Sequence, residues 1–167
     1  MAKRDSSKQI QAANNEKTDV KPSRQVIVNA QYIKDFSFEN PGAPASLVGN
    51  RETPKISISV DVQVQKIAEE NFEVTLAITA NANIDDKKLF LVELSYAGIF
   101  SVKAPEQELG PVLMVYCPNL LFPYARRVIS DTVRDGGFPP LLLDPIDFAS
   151  IYQQHQKANA QKQKANA

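Results

Sequence analysis

Apolar and polar residues alternate along four stretches of the chain, which is the pattern of strands that bury one face. The four stretches cover residues 25–39, 55–65, 72–83 and 90–102. The first is the least regular, because Ile27, Ile33 and Lys34 interrupt its alternation. Parallel strands buried on both sides would read as continuous apolar runs. The alternation therefore predicts an antiparallel sheet with one apolar face and one solvent-exposed face.

If the strands are regular, the first places Ala30 and Tyr32 on the apolar face and Gln31 on the polar face. The polar face of the sheet would also display five acidic residues around one apolar residue, Leu91: Asp35, Glu39, Asp61, Glu73 and Glu93. Such a face is either a docking surface or the ordinary solvent side of a sheet, and the alternation alone leaves both interpretations open.

Residues 40–53 separate the first two predicted strands and contain Pro41, Gly42, Pro44 and Gly49. This segment is too long for a tight hairpin and is rich in residues that favour turns. We interpret it as a crossover loop, which lets strands pair out of sequence order.

The segment after the fourth strand predicts a helix that covers the apolar face. Between Leu121 and Val133, apolar residues recur at three- and four-residue steps. Asn119 is predicted to cap the helix and Pro123 to lie in its first turn, where a missing N–H removes at most one helical bond. Gly136 and Gly137 are predicted to end it. Upstream, residues 104–116 suggest a helix that a glycine and a proline interrupt.

A second helix is predicted to begin after an extended apolar connector, residues 139–143. Asp144 would cap it, Pro145 would take its first position, and Asp147 would lie in its first turn. The predicted helix continues through Tyr152 into a tail in which the sequence KANA occurs twice.

These elements predict an α+β fold, in which a four-stranded antiparallel sheet with a long crossover loop is packed on one face by two C-terminal helices. We expect residues 1–24 to be a disordered N-terminal extension, because they are too polar to offset the entropy of ordering. Residues 25–152 are expected to form one domain. Residues 153–167 would be a helix extension or a flexible tail.

Acidic and basic residues balance at 19 each, but they are unevenly distributed. Residues 1–24 hold six basic and three acidic side chains, and the tail from residue 153 holds three basic and no acidic ones. The body between them is therefore acidic, with 10 basic and 16 acidic residues. An acidic body argues against nucleic-acid binding and favours a basic protein surface as the partner.

The sequence contains none of the motifs of the major enzyme classes, such as a phosphate-cradling glycine loop or paired metal-binding cysteines. The single cysteine, Cys117, is either a nucleophile or a buried inert thiol, and no histidine lies near it in sequence. His155 has no ligand cluster around it to suggest a metal site. We therefore expect no catalytic residues, no cofactor and no metal.

We also expect a cytoplasmic protein without direct membrane insertion. No apolar run approaches the roughly 20 residues that span a bilayer, and the N-terminus lacks the apolar segment of a signal peptide. A single cysteine cannot form an internal disulfide, which is typical of a reducing compartment.

Several long motifs, in the same order, resemble the SecB protein-export chaperone family. They are YIKDFSFENPGAP, FLVELSYAGIF, CPNLLFPYAR and GGFPPLLLDPIDF, and the resemblance covers roughly residues 25–152. It implies an ATP-independent holding chaperone, a homotetramer built as a dimer of dimers. Such a chaperone holds unfolded preproteins in long apolar grooves and passes them to the SecA motor without using nucleotide.

The resemblance also implies site residues. Those matching the motor-docking positions of the family are Asp35, Glu39, Leu91 and Glu93. The residues expected to form the client groove are Ile56, Ile58, Val60, Phe148, Ile151 and Tyr152. Two departures are the absence of an aromatic residue from loop residues 47–53 and the basic rather than acidic tail.

Two alternatives stay open at this point. A SecB-like interaction module could serve another client system, such as a toxin–antitoxin pair. More distantly, a small-molecule enzyme could use Tyr124, Arg126 and Asp131, although helical spacing already accounts for these residues.

Overall fold

The computed structural model describes residues 24–49 and 52–165, with side chains described as far as residue 161. It confirms the α+β fold and its four-stranded antiparallel sheet. The strands are β1 (Gln25–Glu39), β2 (Lys55–Lys66), β3 (Asn71–Ile84) and β4 (Lys87–Lys103). The predicted disorder of the N-terminal extension concerns residues that, except for Arg24, lie outside the described part of the chain.

The strands pair in the order β1-β4-β3-β2, so the crossover loop carries the chain from one edge of the sheet to the other. Within this loop, residues Ala45–Leu47 form a single 3₁₀ turn. The β3 and β4 strands form the centre of the sheet, and β1 and β2 are both edge strands. A long loop therefore does allow pairing out of sequence order, as its length predicted.

Two β-bulges in β1 overturn the predicted faces of the residues between them. The register against β4 shifts between Val28 and Ala30 and again between Ile33 and Asp35, so that one residue at each place is left over. Tyr32 consequently pairs with Ala97 on the solvent-exposed face rather than the apolar one. Ala30 shares that face, and Gln31 lies on the apolar side opposite Gly98. Inserted residues break a two-residue period, which explains the irregular alternation.

The predicted start of the first helix is also wrong. Helical structure runs without a break from α1 (Glu106–Pro111) through a π-helical turn (Val112–Tyr116) into α2 (Cys117–Asp135). Asn119 lies inside this helical segment, where its side-chain amide donates to the carbonyl of Val115 at 2.8 Å instead of capping. Pro123 is likewise internal.

An internal proline costs about 3 kcal/mol in an isolated helix. Here that cost is offset by burial, because Leu121, Phe122 and Ala125 around it are all part of the core and each large apolar side chain contributes roughly 1.5–3 kcal/mol when buried. The π-helical turn also re-routes backbone hydrogen bonds just before Pro118, which lacks an N–H. Proline therefore does not mark a helix end in this segment.

The second helix, α3 (Phe148–Ala165), begins later than predicted. Asp147 rather than Asp144 caps it: its carboxylate accepts the backbone N–H of Ser150 at 3.0 Å and the Ser150 hydroxyl at 2.7 Å. These bonds hold the pKa of the Asp147 carboxyl below its ordinary value. Residues 139–147 form neither helix nor strand. The helix extends to Ala165.

The two C-terminal helices cover different parts of the core. One, α2, lies on the apolar face across β3 and β4 through a row of buried residues, namely Leu121, Ala125, Ile129 and Val133. The other, α3, packs mainly against the π-helical turn. Its first residue, Phe148, meets Phe122 edge-on at a ring-centroid distance of 6.1 Å. We call the side of the sheet that α2 covers the helix face and the opposite side the open face.

Leu121 provides a test of this packing. Its side chain is fully buried against the sheet, whereas that of Leu142 is 67% exposed. Leu121→Ala should lower the free energy of unfolding by about 2–5 kcal/mol because it leaves a cavity in a packed core. Urea unfolding at fixed protein concentration measures the change. Leu142→Ala is the matched control and should stay within about 0.5 kcal/mol of the parent chain; equal losses in both variants would contradict the assigned core.

Candidate functional site

The residues predicted to dock the motor all lie on the open face, on the neighbouring strands β1 and β4. Glu39 pairs with Leu91, Ser37 pairs with Glu93, and Asp35 pairs with Ser95. Cross-strand partners point to the same side of a sheet. The structure thus brings together Asp35, Glu39, Leu91 and Glu93, which we call the docking patch.

The docking patch is acidic and solvent-exposed around a half-buried leucine. Asp35 and Glu93 flank a shallow depression of about 240 Å³, whose floor includes Ala77, Thr79 and Ser95. The hydroxyl of Ser37 donates to the Glu93 carboxylate at 3.4 Å. Lys88 lies 3.8 Å from the Glu39 carboxylate, too far for a close ion pair. This arrangement can receive a basic side chain beside a small apolar contact.

The other two acidic residues predicted for this face already have partners. Glu73 on β3 accepts the ammonium of Lys34 at 2.6 Å and the hydroxyl of Tyr32, both from β1. The bond from Lys34, followed by that from Tyr32, holds the pKa of the Glu73 carboxyl below its ordinary value, and the same carboxylate raises the pKa of Tyr32. Asp61 lies 3.7 Å from the His155 ring on α3. Neither residue belongs to the docking patch.

The second surface is an apolar groove on the helix face, beside the edge strand β2. Ile56 and Ile58 point to this face but are 43% and 46% exposed, because α2 lies over β3 and β4 and does not reach them. Val60, further along the strand, is partly buried against the core. The edge strand therefore presents an apolar row that the described part of the chain leaves largely uncovered.

A groove of about 440 Å³ begins at Ile56. One wall is the crossover loop, with Ser46, Glu52 and Thr53, and the opposite wall is the connector Phe138–Leu141 that follows α2. The remaining lining residues are Pro54, Ile84, Leu89 and Phe90. We call this cavity the client groove.

The α3 residues predicted for the same groove are placed differently. Phe148 is only 1% exposed and belongs to the core. Ile151 and Tyr152 are half-buried against the helical segment, and the Tyr152 hydroxyl lies beside Gly110, where a Cβ atom would come within 2.5 Å of it. None of the three lines the client groove. The α3 residues therefore do not share this groove with Ile56.

Sequence reasoning missed the groove residues Phe138, Leu141, Ile84 and Leu89. The signal that could have found the first two was the apolar run after the helix, which exceeds what a small core can bury. Ile84 and Leu89 flank the β3–β4 turn, and nothing in the alternation shows that this turn reaches the crossover loop.

Cys117 behaves as a core residue. It is fully buried, and this burial raises the pKa of its thiol to about 12. A thiol in that state carries almost no thiolate at neutral pH. Among residues 24–49 and 52–165, no cluster of three potential metal ligands occurs. In the same part of the chain, no helix is both long and apolar enough to cross a membrane.

Comparison with known proteins agrees with this architecture. Residues 19–159 match the profile of a family described as preprotein translocase subunit SecB. The protein-export protein SecB of Parvibaculum lavamentivorans is 54% identical over 136 residues, which are 80% of this chain and 81% of the relative. The protein of the same name from a Bradyrhizobium strain is 46% identical over 153 residues, 91% of this chain and 94% of the relative.

Among solved structures, the fold is similar to that of a SecB-like chaperone from Mycobacterium tuberculosis in complex with an antitoxin peptide. The TM-score is 0.60 at 15% sequence identity, with 72% of this chain and 90% of the other covered. At that identity the likeness concerns the fold alone. A family profile over residues 19–159, together with relatives near 50% identity over most of both chains, shows that the chain belongs to the SecB family.

Proposed function

We propose that this protein is an ATP-independent holding chaperone that keeps newly made preproteins unfolded and delivers them to the SecA motor. The observation that carries the proposal is the pairing of an uncovered apolar groove on one face of the sheet with an acidic patch on the other. Holding needs exposed apolar surface but no reacting groups. The toxin–antitoxin alternative is not favoured, because the curated relatives are named protein-export proteins.

The client groove suits an unfolded chain for two reasons. Its walls offer apolar side chains to the scattered apolar residues of a client. In addition, β2 is an edge strand, so no strand of the described residues occupies its outer side, where backbone N–H and C=O groups can pair with an extended peptide. Several weak contacts of this kind bind many sequences, while each contact exchanges quickly.

We assign client contact to Ile56, Ile58 and Val60 on β2, together with Phe138 and Leu141 on the opposite wall. Ile151 and Tyr152 are half-buried and stay in the proposal as a second, separate contact on α3. Phe148 is left out, because a client could reach it only by displacing the core.

Ile58→Asp tests the apolar row of β2 that continues from the client groove. The substitution places a charge in an apolar surface and should weaken binding of a labelled, unfolded preprotein by roughly tenfold, since burying one isoleucine contributes roughly 1.5–3 kcal/mol. Suppression of preprotein aggregation should fall in parallel and should not respond to ATP. Ser59→Asp, which adds the same charge one residue away on the open face, is the control and should hold clients normally. ATP-dependent holding, or equal losses in both variants, would contradict the proposal.

The docking patch is proposed to bind a basic surface of the motor. Its three carboxylates provide charge complementarity, and Leu91 provides an apolar contact at their centre. Exposed charges of this kind govern the rate and the specificity of association, and salt screens them beyond about 8–10 Å at physiological ionic strength.

Glu93→Lys and Leu91→Arg should each weaken motor binding at least several-fold, and added salt should weaken binding of the parent chain. Isothermal titration with purified motor measures both effects. Glu69→Lys reverses an exposed charge in the β2–β3 turn, at the other end of the sheet, and should bind like the parent. Client holding should survive in all three variants; if Glu93→Lys lost holding as well as docking, the two faces would not be independent.

We further propose a homotetramer formed as a dimer of dimers. The support is apolar surface that residues 24–49 and 52–165 leave uncovered outside the client groove. On the helix face of the edge strand β1 this surface consists of Val28, Ile33 and Phe36, and on the helical segment it includes Tyr116 and Tyr124. Contiguous exposed apolar surface of this kind marks subunit contacts.

Light scattering at micromolar concentration should give about four times the chain mass of 18.5 kDa. Ile33→Asp, which charges the exposed edge of β1, should lower that mass, while Ser37→Asp on the open face of the same strand should not. The chain mass alone across micromolar concentrations would overturn the proposal.

A further inference from the structure

Two residues of β1, Tyr32 and Asp35, both point to the open face, although a regular strand would place residues at this spacing on opposite faces. Tyr32 pairs with Ala97 and Asp35 pairs with Ser95, so both lie on that face. Side chains alternate with every residue of a strand, so residues three apart point to opposite sides. One extra residue must lie between them, and the register places the second bulge there, at Lys34. Asp35 is the first residue after this bulge.

The bulge residue is held by a contact that crosses the sheet. The ammonium of Lys34 lies 2.6 Å from one oxygen of Glu73, and Tyr32 donates to the other oxygen. Glu73 belongs to β3, so both bonds pass over the intervening strand β4. The residue beneath them on β4, Ala97, is fully buried although it faces the open side. Its small side chain leaves room for the Tyr32 ring to cross.

The ion pair is sheltered enough to be a defined contact. The Glu73 side chain is 12% exposed, and the carboxylate is bonded at both oxygens. Median surface ion pairs contribute little, but a carboxylate with two fixed donors and low exposure is held more firmly. The strand just beyond is fixed from the helix face, because Phe38 stacks on Phe90 with ring centroids 6.2 Å apart. Asp35 therefore lies between two anchored points.

We propose that Lys34 is a positioning residue for the docking patch: its ion pair with Glu73, supported by Tyr32, fixes the bulge that holds Asp35 on the open face beside Glu93. This inference rests on the proposed docking of the motor. It assigns to Lys34 a role opposite to that expected from its charge. A cation on an acidic face repels a basic partner, yet this cation favours docking because it orders the carboxylate next to it.

A charge effect and a positioning effect of Lys34 predict opposite changes in motor binding, and this difference provides the test. Lys34→Met removes the charge and keeps the length of the side chain. If only charge mattered, a basic partner would bind this variant more tightly; with positioning, motor binding weakens about three- to tenfold. Lys34→Arg keeps the cation and should bind the motor like the parent chain. Tyr32→Phe should weaken motor binding less than Lys34→Met does. Lys88→Met is the matched control, because it removes a cation 3.8 Å from Glu39 but outside the bulge; it should bind as well as the parent or better.

A double-mutant cycle tests whether Lys34 acts on motor binding through the Asp35 carboxylate. Lys34→Met and Asp35→Asn should be strongly non-additive for motor binding, because both act through the Asp35 carboxylate, whereas Lys34→Met and Glu39→Gln should add. Client holding and oligomer mass should not change in Lys34→Met. Parent-like or tighter motor binding by Lys34→Met, or additivity with Asp35→Asn, would overturn the inference.

Nuclear Overhauser contacts between Asp35 and Ser95, measured without the motor, separate the two proposals. In Lys34→Met these contacts should weaken, and in Lys34→Arg they should persist. If Glu93→Lys bound the motor normally while the contacts were lost in Lys34→Met, the docking assignment would fail and the role of Lys34 in the bulge would stand. Unchanged contacts in Lys34→Met would reject the positioning role even if the docking assignment held.

Discussion

The close approach of α2 to β4 at Gly98 is the contact on which the rest of the structure depends. A Cβ atom at Gly98 would lie 2.9 Å from Leu121 and 2.7 Å from the Phe100 ring. Only glycine therefore leaves room for α2 to pack this closely on β4. This position centres α2 over β3 and β4. Several apolar residues of the edge strands, including Ile56, Ile58 and Ile33, stay exposed beside it, and the open face receives no cover from it. One packing contact thus leaves exposed each surface that the proposed function uses.

The regular parts of the fold could be predicted from the sequence, because they bury one face each. In β2, β3 and β4 the alternation continues without an inserted residue through most of the strand, and the predicted faces are correct. In β1 the alternation misplaces Tyr32, because the register shifts that turn this residue outward arise in the pairing with β4. A local pattern holds no information about such partners. The docking patch could still be predicted, because its β1 members all lie after the second bulge.

The errors in the helical region have a different origin. Proline is a local signal for a helix start, but Pro123 lies inside a helix whose burial offsets the lost hydrogen bond. The resemblance places Phe148 on a binding surface, whereas the structure places it in the core, at the start of α3 directly after the cap at Asp147. The walls of the client groove meet only through tertiary packing. Propensity and spacing describe single elements, so they do not show which elements meet.

The strand order has a consequence for how the molecule is made. The two strands synthesised first, β1 and β2, do not pair with each other; β2 pairs with β3, and β1 pairs only with β4. During translation the β2–β3 hairpin can therefore form first, whereas β1 is left without a partner until β4 has left the ribosome. Until then the nascent chain itself carries an unpaired apolar strand, like the unfolded polypeptides that it is proposed to hold once folded.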